Sequence, residues 1–140
     1  MFVIERSFSI AVGHRLSKHQ GKCKNFHGHN YKILVAVRAE NLDDNGMVLD
    51  FSELDNIVKE FLDKFDHSLI VNQDDDICNE ISRTLIEHDM SVIRVSNEPT
   101  AENFACEIYH YVATKLPQNV GMDYVAVYET DRSRAVYYQD

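Results

Sequence analysis

Apolar and β-branched side chains dominate both ends of this chain, whereas helical periodicity dominates its middle. Runs rich in valine, isoleucine, tyrosine and phenylalanine that are bounded by polar turn residues are typical of strands. By this criterion the sequence predicts strands at 2–12, 31–38, 47–50, 91–95, 123–130 and 134–138.

Three segments carry apolar residues at the spacing of a helix. Ser52 is the predicted N-cap of the first, a weaker second one follows Asp76, and the third begins at Pro99-Thr100 and ends at Pro117. The predicted buried positions are Leu54, Ile57, Val58, Phe61, Leu62 and Phe65 in the first helix, Ile77, Ile81 and Leu85 in the second, and Phe104, Ala105, Ile108, Val112 and Leu116 in the third.

The order of these elements indicates the fold class. Strands, then helices, then strands predict an α+β domain with helices on one face of an antiparallel sheet. No linker or internal repeat interrupts the pattern, so residues 1–140 are predicted to form a single domain. Long strands at the edges of such a sheet are often protected by association, so we expect a homo-oligomer.

The bulk composition excludes several classes of partner. The formal net charge of −9 repels a phosphate backbone, so nucleic acid is not expected to bind. The apolar runs are too short to cross a bilayer, and no signal peptide is visible, so no membrane association is expected. The three scattered cysteines argue against a disulfide framework and favour a reducing cytoplasm.

Three histidines form the strongest candidate for a metal site. His27 and His29 are two residues apart at the start of a predicted strand, so their side chains point to the same face. His14 ends the first strand, and a hairpin between the two strands would bring all three imidazoles together. Zinc binds imidazole nitrogen well, and a catalytic zinc site uses three protein ligands and one open position. The alternative is that these are ordinary surface or core histidines.

The cysteines permit several interpretations. Cys23 can be a fourth zinc ligand, a small buried residue or a catalytic thiol, and its neighbours Lys22 and Lys24 favour the thiolate. Cys78 and Cys106 fall within helical patterns, and we interpret both as core residues.

Asp66 and His67 follow the first predicted helix directly. An aspartate can fix the tautomer of a histidine and raise its basicity, which is the pairing used in general acid–base catalysis. The alternative is a histidine that stabilises the C-terminal end of the helix dipole, and local sequence favours this alternative.

Two glutamates are candidates for ligand binding. Glu129 ends an apolar strand, where a carboxylate needs a partner, and it can accept two parallel N–H bonds from a pterin or guanine edge. The alternative for Glu129 is a surface residue at a strand end. Glu102 follows Thr100 in the first turn of the third helix, and a helix cap with a favourable dipole explains both residues without any ligand.

Six motifs occur in an order that resembles one known family over almost the whole chain. They are His14, Cys23-x3-His27-Gly28-His29-Asn30-Tyr31, Gly46-Met47-Val48-Leu49-Asp50-Phe51, Asp66-His67, Pro99-Thr100-Ala101-Glu102-Asn103 and Tyr128-Glu129-Thr130. The sequence closely resembles the 6-pyruvoyl-tetrahydropterin synthase / 6-carboxy-tetrahydropterin synthase family.

The resemblance implies an architecture. It implies the tunnelling fold, in which the sheets of several subunits join into a barrel. It also implies a hexamer built from two trimers, with active sites at the subunit interfaces.

The resemblance further implies roles for particular residues. Zinc would be bound by His14, His27 and His29 and would act as a Lewis acid on the substrate hydroxyls. Cys23, Asp66 and His67 match the catalytic residues of the family. Glu129 matches the anchor of the pterin, with Thr100 and Glu102 on the same ligand. The implied substrate is 7,8-dihydroneopterin triphosphate, held at its phosphates by basic residues such as Arg15, Lys18 or Lys24.

The family has branches with different products. The three residues between Cys23 and His27 resemble the 6-carboxy branch, which feeds queuosine-type deazapurine synthesis and releases acetaldehyde. The alternatives are a 6-pyruvoyl-tetrahydropterin synthase and a non-catalytic metal- or pterin-binding module. The segment Ser68 to Asn72 after the Asp66-His67 pair is longer than the common spacing of the family.

Overall fold

The computed structural model describes all 140 residues and contains three α-helices and six strands. The strands are β1 (Phe2–His14), β2 (His27–Ala39), β3 (Ser68–Asn72), β4 (Val92–Val95), β5 (Gly121–Thr130) and β6 (Ser133–Tyr138). The helices are α1 (Phe51–Leu62), α2 (Asp76–Glu87) and α3 (Ala101–Ala113), and a short 3-10 turn spans Lys22–Lys24. The predicted α+β class is therefore confirmed.

All six strands belong to one sheet in the order β4-β3-β1-β2-β5-β6. The pairs β1–β2, β2–β5 and β5–β6 are antiparallel, as predicted. The pairs β1–β3 and β3–β4 are parallel, so the sheet is mixed rather than wholly antiparallel. The sequence prediction missed β3, because a five-residue apolar run buried at nearly every position lacks the alternation that marks a half-exposed strand.

The core lies between the sheet and the helices α1 and α3. Alternate side chains of β1 and β2 point towards these helices, and the same alternation places His14 beside the core residues Val12 and Tyr31. The apolar faces predicted for α1 and α3 are largely confirmed. Their fully buried members are Leu54, Val58, Phe61 and Leu62 in α1 and Phe104, Ala105, Ile108 and Val112 in α3.

The segment before α1 differs from the prediction. Residues 47–50 do not form a strand. They lie in a loop, from which the side chains of Val48 and Leu49 enter the hydrophobic core. The N-cap of α1 is Asp50 rather than Ser52, because the Asp50 carboxylate accepts hydrogen bonds from both the backbone N–H and the hydroxyl of Ser52. These two contacts lower the pKa of Asp50.

Helix α2 is rotated relative to its predicted buried face. Cys78 and Ser82 are its fully buried residues, whereas Ile77 is exposed and Ile81 and Leu85 are half-buried. The reading of Cys78 as a core residue is confirmed, and Cys106 on α3 is half-buried. No helix of the protein is both long and apolar enough to span a membrane.

Candidate metal centre and active site

The β1–β2 hairpin brings the three candidate histidines together. In the strand register, His14 lies opposite His27 and Val12 lies opposite His29. Because side chains alternate along each strand, the three imidazoles project from the same face of the sheet. Their ring centroids are 4.6, 5.0 and 5.1 Å apart. The predicted convergence of His14, His27 and His29 is confirmed.

The hydrogen bonds of two rings fix which nitrogen is free. The Nδ1 atom of His14 lies 2.7 Å from the carbonyl oxygen of Pro99, and the Nδ1 atom of His27 lies 2.8 Å from that of Asn25. A carbonyl oxygen only accepts hydrogen bonds, so each Nδ1 carries the proton and donates it. Each neutral ring therefore keeps a lone pair on Nε2.

These nitrogen atoms converge, in an arrangement that could hold a cation. The Nε2 atoms of His14 and His27 are 3.1 Å apart, a distance at which two acceptors repel unless they share a positive charge. The Nε2 atom of His29 is buried and has no hydrogen-bond partner. The ligand atoms of all three residues lie within 4.8 Å of one another. This donor set fits a metal ion bound by three imidazoles.

The surroundings favour the neutral form of His14 that a metal requires. Burial lowers the pKa of His14, and the neighbouring rings of His27 and His29 lower it further, against the opposing effect of the Pro99 hydrogen bond. Tyr31 forms the floor of the cluster, because its ring stacks on His29 with centroids 5.9 Å apart and is almost fully buried.

Cys23 lies outside this cluster of ligands. The metal-binding group contains the three histidines and not the thiol, so the closed Cys-His₃ arrangement considered from the sequence is not formed. Cys23 is unpaired and half-buried in the 3-10 turn, and its carbonyl oxygen accepts a hydrogen bond of 2.8 Å from the backbone of Leu16. A three-histidine site leaves a coordination position open, as catalytic sites do.

A single cavity joins the three residues matched to pterin binding. Thr100, Glu102 and Glu129 line a cavity of about 260 Å³, together with Leu16 and Arg134 among others. A carboxylate oxygen of Glu129 lies 3.9 Å from Nε2 of His29, so the cavity adjoins the histidine cluster. Thr100 is also the N-cap of α3, as predicted, because its hydroxyl accepts a hydrogen bond from the backbone N–H of Asn103.

Residues 3–140 match the sequence profile of the family described as 6-pyruvoyl tetrahydropterin synthase. The chain belongs to this family. It is 35% identical over 134 residues to the 6-carboxy-5,6,7,8-tetrahydropterin synthase of Rickettsia conorii, covering 93% of this chain and 95% of that one. It is 33% identical over 141 residues to the protein of the same name from Haemophilus influenzae, covering 98% and 99%.

The fold agrees with this family assignment. The structure of 6-pyruvoyl tetrahydropterin synthase from Caenorhabditis elegans superposes with a TM-score of 0.71 at 25% identity, covering 99% of this chain and 96% of that one. The expected tunnelling-fold class is therefore confirmed. The closure of several sheets into a barrel stays a prediction.

The Asp66-His67 pair of this synthase-family chain bonds to β1 at Ala11 and not to the histidine cluster. The Oδ1 atom of Asp66 accepts a hydrogen bond from the backbone N–H of Ala11 and lies 2.9 Å from Nδ1 of His67. The Ala11 contact, followed by His67, lowers the pKa of Asp66. The His67 side chain is 82% exposed and contacts none of the three clustered histidines.

His67 does not cap a helix, which was the alternative favoured by local sequence. Helix α1 ends at Leu62, and His67 adopts a left-handed backbone conformation with φ of 58°. This conformation lets the His67 N–H donate to the carbonyl of Ala11 while Asp66 accepts from the N–H of the same residue. The pair is thus fixed to the free edge of β1.

Several residues that shape the site of this family member were missed from the sequence. Pro99 and Asn25 act through backbone carbonyls. Every residue has a carbonyl, so the residue type does not reveal this role. Glu98 and Asp75 flank the loop after β1 and were also missed. Arg15, which was expected among the residues that hold the phosphates, is held in an ion pair with the buried Asp75, with 2.8 Å between Nε and Oδ2. The Pro99-Thr100 dipeptide predicts a helix start, and this is the signal that the sequence offers for the segment.

Proposed function

We propose that the chain is a zinc-dependent lyase that converts 7,8-dihydroneopterin triphosphate to 6-carboxy-5,6,7,8-tetrahydropterin, with release of acetaldehyde and triphosphate. Its place would be the synthesis of queuosine-type deazapurines. One observation carries the proposal: three imidazoles with free Nε2 atoms adjoin a cavity lined by Glu129, Glu102 and Thr100. Relatives that share about a third of its residues over most of its length carry the name of this enzyme.

Zinc is the metal we propose for the three-histidine site. A site of nitrogen ligands alone suits zinc better than magnesium or calcium, which prefer oxygen. When bound, the ion supplies a Lewis acid that polarises oxygen atoms of the substrate side chain. His14, His27 and His29 would hold it, and the hydrogen bonds of His14 and His27 to backbone carbonyls keep the ligating nitrogens oriented.

The cavity beside the metal ligands would hold the pterin. The Glu129 carboxylate can accept two parallel N–H bonds from the pyrimidine edge of the ring, which fixes its orientation. Thr100 and Glu102, at the start of α3, line the same cavity and would contact the same ligand. The short distance between Glu129 and His29 would bring the side chain of the bound pterin to the metal.

Cys23, Asp66 and His67 would carry the proton transfers. The Cys23 thiolate would remove a proton from the substrate side chain, and the Asp66-His67 pair would donate or accept the remaining protons. Within one chain the pair does not contact the histidine cluster. We therefore propose that the pair of a neighbouring subunit completes each site.

The surface of the chain supports such an assembly, for which we propose a homohexamer made of two trimers. The part of β1 before Ala11 pairs with β2 alone, so its other edge has no strand partner. Exposed apolar side chains cluster beside this edge, around a cavity lined by Phe2, Val3, Leu42 and Phe51 among others. Free edges and apolar patches of this kind are commonly covered by association.

We propose the cytoplasm as the location of the protein. All three cysteines are unpaired. The proposed role of Cys23 as a thiolate base requires a reduced thiol, which a reducing compartment maintains.

A second candidate function is 6-pyruvoyl-tetrahydropterin synthesis, because the family description carries that name. The two reactions differ in whether a carbon–carbon bond of the side chain is broken. A non-catalytic pterin- or metal-binding module is the third and least favoured possibility.

A product assay distinguishes the three functions. The purified, zinc-loaded protein is incubated with 7,8-dihydroneopterin triphosphate, and the pterin product is identified by mass spectrometry while acetaldehyde is measured with alcohol dehydrogenase and NADH. We expect the carboxy product with an equal amount of acetaldehyde. The pyruvoyl compound without acetaldehyde would establish the second function instead, and binding of zinc and pterin without turnover would establish the third.

A further inference from the structure

Glu98 lies at the start of the segment that leads into α3, and its carboxylate is held by three donors. One oxygen accepts a hydrogen bond of 3.0 Å from the backbone N–H of Ser17. The other accepts from the Ser17 hydroxyl and, at 3.1 Å, from the side-chain amide of Asn72 at the end of β3. None of the ion pairs of the chain includes Glu98, so neutral groups alone hold this half-buried charge.

The backbone of the same residue is fixed from the other side. The carbonyl of Glu98 accepts hydrogen bonds from the Asn103 side chain at 2.9 Å and from the Thr100 N–H at 2.8 Å. The next residue is Pro99, whose carbonyl receives the Nδ1 proton of His14. Glu98 is therefore bonded directly to the residue whose carbonyl sets the tautomer of His14.

Ser17 connects Glu98 to the loop that carries Cys23. This loop follows His14, and the backbone N–H of Leu16 donates to the carbonyl of Cys23. Arg15 pairs with the buried carboxylate of Asp75 on one side of Leu16, and Ser17 is held by Glu98 on the other. Leu16 itself lines the cavity that contains Glu129.

We propose that Glu98 is a positioning residue: its carboxylate clamps the Cys23 loop to the segment that orients His14, so that the thiol and the metal ligands keep a fixed relative placement. A carboxylate suits this task because its two oxygens accept from the backbone and the side chain of Ser17 at once. A half-buried charge without a cation costs desolvation free energy, and the three hydrogen bonds offset part of that cost.

The test compares the full-length, zinc-loaded Glu98→Gln variant with the wild-type protein. Glutamine keeps the size of the side chain but replaces one acceptor oxygen by an NH₂ group that faces the donors of Ser17. We expect kcat to fall about 10- to 100-fold, the range usual for outer partners of a metal site. We expect KM to change less, because Thr100, Glu102 and Glu129 keep their places.

A second readout does not depend on pterin chemistry, whereas the first rests on the proposed function. Iodoacetamide alkylates accessible thiols, and peptide mass mapping assigns the rate at Cys23. We expect this rate to rise in Glu98→Gln, because the released loop exposes the half-buried thiol.

Two further variants act as controls. Glu87→Gln removes a carboxylate at the exposed end of α2 that takes part in no ion pair, and it is expected to match the wild type in both readouts. Ser17→Ala removes only the hydroxyl that contacts Glu98 and is expected to change both readouts in the same direction by a smaller factor. If Glu98→Gln does not fold, the two readouts of Ser17→Ala test the positioning role in its place.

The inference is overturned if Glu98→Gln and Ser17→Ala leave kcat and the alkylation rate of Cys23 unchanged, or if Glu87→Gln causes equal changes. If the wild type lacked turnover while alkylation of Cys23 still rose in Glu98→Gln, the positioning role would stand and the proposed function would fall.

Discussion

The Nε2 atom of His29 lies 3.9 Å from a carboxylate oxygen of Glu129, although the two residues are a hundred positions apart in the sequence. They come together because β2 and β5 are neighbouring antiparallel strands, and the start of β2 lies beside the end of β5. The two side chains point to the same face of the sheet. The contact joins the histidine cluster to the cavity lined by Thr100 and Glu102. A ligand held by Glu129 would therefore lie within reach of a metal held by the histidines.

Replacement of a clustered histidine should remove the metal. We expect His27→Ala to bind far less than one zinc ion per chain, because two imidazoles are too few ligands for a tight zinc site. The measurement is the metal-to-protein ratio after dialysis, determined by inductively coupled plasma mass spectrometry. His19→Ala is the matched control, since His19 is an exposed histidine outside the cluster. Full zinc content in His27→Ala would contradict the assigned ligand set.

Removal of the Cys23 thiol should abolish turnover and leave the metal in place. We expect Cys23→Ala to lose about 10²- to 10⁴-fold in kcat, the usual contribution of a general base. Zinc content and oligomeric state should equal those of the wild type, because the thiol is not among the clustered ligands. Steady-state kinetics, elemental analysis and light scattering measure kcat, zinc content and oligomeric state, respectively. Cys106→Ala is the control, and near-normal turnover in Cys23→Ala would count against a thiolate base.

Truncation of Glu129 should weaken substrate binding. We expect Glu129→Ala to raise KM for 7,8-dihydroneopterin triphosphate about 10-fold or more, because the pterin loses a charged acceptor of two hydrogen bonds. Initial rates over a range of substrate concentrations give the value. Glu40→Ala, which removes an exposed glutamate at the end of β2, should behave as the wild type. An unchanged KM would remove Glu129 from the proposed site.

Alkaline pH should destabilise the fold through Cys78. Burial raises the pKa of the Cys78 thiol from 9.0 to about 12, with a further contribution from Asp75. The unfolded chain therefore loses this proton at a lower pH than the folded chain, so the contribution to stability is complete below pH 9.0 and is lost as the pH rises towards about 12. We expect the urea midpoint to fall between about pH 8 and about pH 10.5.

Cys78→Ala isolates this contribution from the other alkaline groups. Tyr31 and Tyr111 also have raised pKa values, but both are present in the variant and the wild type. The decrease in midpoint over the same pH range should be smaller in Cys78→Ala. Equal decreases in the two proteins would show that Cys78 ionises no differently in the folded state.

The sequence by itself determined the elements whose pattern is local. Helical periodicity predicted α1 and α3, and β-branched runs predicted β1 and β2, because each buried face repeats within a few residues. The spacing of His27 and His29 predicted two imidazoles on one face for the same reason. The six motifs carried the resemblance to the family.

Only the tertiary structure decided what depends on contacts between distant segments. It showed that β3 pairs in parallel with β1, that the carbonyl of Pro99 fixes the ring of His14, and that Glu98 holds Ser17. It also showed that Asp66 and His67 bond to Ala11 and not to the clustered histidines of the same subunit. A residue type specifies its own donors and acceptors, whereas strand register and chain path decide which of them meet.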